Sequence, residues 1–109
     1  MFKIASKTIQ ITRGDTGMFT LSLYQNGQEY DYSDDEVLLT VKKSVYVPEI
    51  VMQKRISYGE NIVIEPSDTA NLAFGDYVYD VQVKTPGGIV DTVIPPSTFS
   101  ILPEVTVDE

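Results

Sequence analysis

Apolar residues in this chain recur at every second position and nowhere hold the three-and-four spacing of a helix face over a helical length. Ile9 and Ile11 alternate with Thr8, Gln10 and Thr12, and Phe19, Leu21 and Leu23 alternate with Thr20, Ser22 and Tyr24. Val37, Leu39 and Val41 repeat the pattern before Lys42 and Lys43, and Ile62 and Ile64 repeat it around Val63. Tyr77, Tyr79, Val81 and Val83 share one face, with Asp80, Gln82 and Lys84 on the other. Successive side chains of a strand point to opposite faces, so this pattern specifies half-buried strands with one dry and one wet side. The reading predicts strands near residues 7–12, 17–25, 36–43, 50–56, 61–65, 76–85 and 88–102, and no substantial helix.

The residues between these runs are turn formers. Asn26-Gly27 predicts a tight hairpin, because both residues tolerate positive φ. Pro86-Gly87 suits the two central positions of a type II turn. Gly14-Asp15-Thr16-Gly17 separates the first two strands. Pro66–Asn71 predicts a single helical turn with Ser67 or Asp68 as its cap. Pro95-Pro96 cannot occupy a central ladder, so the last strand is expected to bulge there or to lie at an edge. About seven to eight short antiparallel strands with such punctuation predict an all-β sandwich or barrel.

One local pattern favours the sandwich. Asp68-Thr69-Ala70, Leu72, Gly75, Tyr77 and Tyr79 resemble the corner of immunoglobulin-like domains at which a Tyr hydroxyl folds back onto upstream backbone. Tyr77 fills that position, so its hydroxyl is expected to bond a backbone group of residues 68–75. Tyr79 stands where antibody domains place their second core Cys, with Leu21 as its facing partner and apolar packing in place of the disulfide. The expected core is Phe19, Leu21, Leu39, Val41, Ile62, Ile64, Tyr79, Val81 and Val83. Residues 1–103 read as one such domain, and 104–109 as an acidic tail or linker.

Composition removes most chemistries. The 109 residues include no Cys and no His, which excludes thiol nucleophiles, Ser-His-Asp triads, zinc-finger sites and disulfide scaffolding. Eight basic residues against 16 acidic ones give a net charge of -8, so nucleic acid and anionic lipid are not expected partners. The sequence has no Gly-rich phosphate loop, no HExxH and no GxSxG, and nothing singles out two carboxylates as a hydrolytic pair. No enzyme activity, cofactor, metal site or catalytic residue is expected. Neither a secretory signal nor an apolar run of about 18 residues is present, so synthesis in the cytosol and no membrane partner are expected.

Three features remain to be weighed. Arg13-Gly14-Asp15 spells an integrin-recognition tripeptide, but the same residues are what a turn needs. Asp31, Asp34, Asp35 and Glu36 could hold a hard cation, yet they lack the Asp-x-Asp-x-Asp-Gly arrangement of a dedicated loop and read as a solvated turn. Tyr24, Tyr30, Tyr32, Tyr46 and Tyr58 fall off the core parity, and suit either a binding surface or ordinary strand composition.

Taken together, Ile9-x-Ile11-Thr12-Arg13-Gly14-Asp15-Thr16-Gly17-x-Phe19-x-Leu21, Asn26-Gly27, Val41-Lys42-Lys43, Ile62-x-Ile64, Asp68-Thr69, Leu72-x-x-Gly75-x-Tyr77-x-Tyr79-Asp80-Val81 and Thr98-Phe99-x-Ile101 resemble small immunoglobulin-like proteins of phages and prophages of Gram-positive bacteria. They are similar to the N-terminal domain of phage baseplate upper proteins and to short prophage tail-region proteins. The resemblance spans residues 7–102. It implies a non-enzymatic structural or attachment role in a tail or baseplate, association with the virion, other tail proteins as partners, and no cofactor or catalytic residue. Baseplate upper proteins continue into helical and receptor-side regions that this chain does not contain. A carbohydrate- or cell-surface-binding module using exposed Tyr and acidic loops is the rival reading. Recurrence around a symmetry axis implies weak self-association at high concentration.

Overall fold

The computed structural model describes residues 8–104 and is all-β, its described helix being the four residues of α1 (Pro66–Thr69). The strands are β1 (Ile9–Thr12), β2 (Gly17–Phe19), β3 (Tyr24–Gln25), β4 (Gln28–Glu29), β5 (Glu36–Lys42), β6 (Ile50–Arg55), β7 (Ile62–Ile64), β8 (Gly75–Lys84) and β9 (Val90–Leu102). A five-stranded sheet has the order β1-β9-β8-β5-β6, β2 pairs with β7 in a two-stranded ladder, and β3 pairs with β4. Side chains from the large sheet and from β7 meet in one buried cluster, so the layers share a core.

Alternation decides which face each long strand buries. In β5, Val37, Leu39 and Val41 are buried between half-buried neighbours, and in β8 Tyr77, Tyr79, Val81 and Val83 are buried. The two strands are antiparallel with Leu39 opposite Val81 and Val41 opposite Tyr79, so their apolar faces coincide. Each aliphatic side chain fully buried this way contributes about 1.5–3 kcal/mol.

Several expectations are corrected. The sheet is not wholly antiparallel: β1 runs parallel to β9, with Ile9 opposite Phe99 and Thr12 opposite Leu102. A parallel pair needs a long connection, and here nearly the whole domain supplies it. The expected strand over 17–25 is interrupted, because its partner β7 is three residues long and the ladder ends at Phe19 opposite Ile62. Phe19 and Leu21 are consequently half-buried at the rim of the core, whereas Leu23 is buried completely. Tyr32 and Phe99, absent from the expected core, are among its largest buried side chains.

The double proline bulges the strand without ending it. β9 continues through Pro95-Pro96, which together face the single residue Asp80, because Tyr79 pairs with Ser97 and Val81 with Ile94. Val93 is the extra residue of a second irregularity, since Gln82 already pairs with Thr92. That shift explains why the consecutive residues Val93 and Ile94 are both buried. β1 covers only Phe99–Leu102, so the prolines, which have no N–H to donate, are not flanked by it.

The Asn26-Gly27 hairpin is present, with φ of 54° and 79° at the two residues, as a type I′ turn requires. At Pro86-Gly87 the left-handed residue is Gly88 (φ 88°), not Gly87 as a type II turn would need. Gly88 N–H donates to the Thr85 carbonyl and Thr85 N–H to the Ile89 carbonyl, each at 2.9 Å, closing a three-residue loop. Glu65, rather than Ser67 or Asp68, is the N-cap of α1, and the Asp68 carboxylate accepts the Glu65 N–H at 2.7 Å. Of residues 104–109, Glu104 is described and is packed against Arg13; residues 105–109 lie outside the described residues, as does residue 7 of the first expected strand.

Candidate functional site

The corner before β8 has the expected hydroxyl bond. Tyr77 Oη donates to the Ala73 carbonyl at 2.9 Å. Thr69, fully buried at the end of α1, accepts the Gly14 N–H on its Oγ1 at 2.9 Å and so ties the corner to the turn after β1. Tyr77→Phe should cost about 0.5–1.5 kcal/mol, one net hydrogen bond, as a lowered urea midpoint with an unchanged slope. An unshifted midpoint would show that this bond contributes nothing to the corner.

Arg13-Gly14-Asp15 is absorbed by that same corner. The Arg13 guanidinium donates to both Glu104 oxygens at 2.8 and 3.0 Å and to the Leu72 carbonyl at 3.2 Å. Its carbon also lies 4.1 Å from the centre of the Phe74 ring. The bond to Glu104, opposed by burial, raises the Arg13 pKa further and holds the Glu104 carboxyl below its usual range. An arginine held by four groups of its own chain is a joint between β1, the corner and the end of β9, not a displayed recognition loop.

The acidic turn is likewise bonded within itself. Asp31 accepts the Ser33 N–H at 2.9 Å, and bonds from Ser33 hold its pKa down. Asp35 accepts the Tyr30 hydroxyl at 2.6 Å, and Glu36 pairs with Arg55 at 3.3 Å. Among the described residues no three acidic groups converge as ligands of a metal ion. EDTA should therefore leave the melting temperature unchanged, and millimolar Ca²⁺ should not raise it. A rise of several degrees would demonstrate specific cation binding to the native state.

The same turn sets an alkaline limit. The hydrogen bond to Asp35, then burial and the neighbouring carboxylates, push the Tyr30 phenol up to about 12 from its ordinary 10.0. Ionisation removes the donor and sets a second negative charge beside Asp35. The stabilisation is whole below pH 10 and is lost as pH rises through about 12. Tyr30→Phe should flatten the fall in stability across that interval, measured by denaturant melts at stepped pH. A variant that loses stability as steeply as the parent would disprove the coupling.

The five tyrosines read as candidates divide. Tyr32 is buried and donates to the Leu21 carbonyl at 2.8 Å, contrary to its reading as off the core. Half-buried Tyr58 meets it edge to face, ring centres 5.1 Å apart, and Tyr30 is engaged by Asp35. Tyr24, 60% exposed on β3, and Tyr46, 92% exposed between β5 and β6, remain on the surface. Neither belongs to a convergent set of polar groups.

Two features were not anticipated. An apolar cleft of about 720 Å³ opens between β1 and residues 19–24 and reaches the core residues Leu39, Tyr79, Val81 and Ile94. The second is the β5–β6 connection, where Val45, Tyr46, Val47 and Ile50 are all exposed. Its signal in the sequence is Val45-Tyr46-Val47-Pro48, an apolar run without the alternation that would give it a buried face. Ser44 orders the turn: its Oγ accepts the Tyr46 N–H at 3.1 Å. Adjacent exposed apolar side chains on an ordered loop are the mark of a contact surface.

Compared with known proteins, the chain matches no family model and no curated protein. Among the described residues no helix is long and apolar enough to cross a membrane.

Proposed function

We propose that this chain is a non-enzymatic assembly module with an immunoglobulin-like sandwich, working as a structural component of a phage or prophage tail or baseplate and contacting other virion proteins. The observation that carries the reading is the Ser44–Ile50 connection, which presents Tyr46 and three exposed aliphatic residues from a scaffold of paired strands. The acidic residues that would have to do chemistry are instead held by Ser33, Tyr30, Arg13, Lys54 and Arg55. The Tyr77 bond to Ala73 and the parallel entry of β1 beside β9 support the immunoglobulin-like reading. The sequence resemblance supplies the virion context. The rival, a sugar-binding surface, loses three of its five tyrosines to contacts within the domain.

Particles released by a lysogen that carries this gene test the reading. After density-gradient purification, the chain should co-sediment with the tail at a fixed ratio to the major tail protein, measured by mass spectrometry. Recovery only in the soluble fraction would reject the virion role, and saturable glycan binding by such a soluble chain would favour the rival.

A further inference from the structure

We infer that the two ends of β5 are complementary docking surfaces, and that one copy of this chain inserts Tyr46 into the acidic groove at the far end of a second copy. β5 begins at Glu36 and ends at Lys42, so six steps of about 3.3 Å separate the surfaces by roughly 20 Å. At the Lys42 end stands the ordered loop with Tyr46 92% exposed and Val45 beside it. Lys42 and Lys43 flank its root, and among the described residues neither forms an ion pair with a carboxylate. Lys43 rests over the Tyr77 ring at 5.5 Å, which orients the ammonium without neutralising it.

At the Glu36 end lies a groove of about 430 Å³ lined by Asp34, Asp35, Glu36, Arg55, Lys84 and Pro86. Its two cations are both directed at Glu36: Arg55 by the ion pair, Lys84 by register. Asp34 is left exposed beside them. Ile89, 64% exposed, and Val90, 53% exposed, sit next to the groove on the β8–β9 turn. A phenol is suited to this setting, since its ring packs on Ile89 and its hydroxyl reaches a carboxylate. The lysines then face Asp34. Positive root meets negative rim, which favours this pairing over knob to knob or groove to groove.

Because knob and groove occupy different places on one chain, the contact is head-to-tail and each added copy exposes a fresh knob. The inference goes beyond virion membership and does not depend on it. A stable interface buries more than such a small contact provides, so the association is weak and appears near millimolar concentration.

Sedimentation equilibrium of the full chain tests it. The parent should form concentration-dependent oligomers, and Tyr46→Ser and Asp34→Lys should each weaken association at least tenfold while leaving the circular dichroism spectrum unchanged. Mixing the two variants decides the geometry. The Asp34→Lys chain retains a knob and the Tyr46→Ser chain a groove, so the mixture should form dimers that do not grow. A parent that stays monomeric near millimolar concentration overturns the inference. A mixture that stays monomeric, or single variants that associate like the parent, overturns it equally, and neither result bears on whether the chain co-purifies with particles.

Discussion

Phe99→Ala should destabilise the domain by about 3–5 kcal/mol, the usual range for truncating a buried aromatic ring. Phe99 is wholly inaccessible, packs edge to face against Tyr79 at 6.3 Å between ring centres, and lies between Ile9 on one side and Tyr77 on the other. It is the point at which β1, β9 and β8 are stapled together. A domain of this size should lose on the order of 20 °C in melting temperature. Phe99→Leu keeps much of the volume and should recover more than half of the loss. An alanine variant that melts within a few degrees of the parent would show that the β1–β9 seam is not packed as described.

Tyr32 carries the second large effect, and its two contributions are separable. Tyr32→Ala removes a buried ring and the edge-to-face contact with Tyr58, with an expected cost of about 3–5 kcal/mol. Tyr32→Phe keeps the ring and deprives the Leu21 carbonyl of its donor, with an expected cost of about 0.5–1.5 kcal/mol. Urea melts of the two variants give the ratio. Equal losses would mean that the hydroxyl, not the ring, holds residues 20–23 in place.

Tyr32 also marks where the sequence stops being legible. Its neighbours Asp31, Ser33, Asp34 and Asp35 are turn residues with no period, so nothing in the pattern distinguishes a buried ring from an exposed one. Its burial follows from an irregular segment, residues 20–23, that needs a donor from outside any ladder. β5 and β8 were readable for the opposite reason. Both are paired on two sides, so alternation alone settles which face is dry. In Phe19, Leu21 and Leu23 the alternation names the inward face correctly, but it carries no information about the length of the partner strand, and β7 is too short to extend the ladder. Parity is equally silent on strand direction, which is why the parallel β1–β9 pairing was not foreseen. The corner at Tyr77 was legible because its chemistry is local: donor and acceptor are four residues apart. The Tyr46 loop was half legible. Its aromatic residue stood out, but its place at the opposite end of β5 from the acidic turn is a property of the strand register.

The parallel run of β1 beside β9 has a mechanical consequence. Tension applied between residue 9 and residue 102 draws the two strands in opposite directions along their common axis. The bonds joining Ile9–Thr12 to Phe99–Leu102 then bear the load together, in shear, instead of opening one after another as they would in an antiparallel pair peeled from its end. The Arg13–Glu104 clasp lies just past the last of those pairs and shares the load. Resistance to a pull is a matter of unfolding rate, not of equilibrium stability. A four-residue ladder at the seam of this domain is therefore its mechanical latch, set where a particle under tension would stress it.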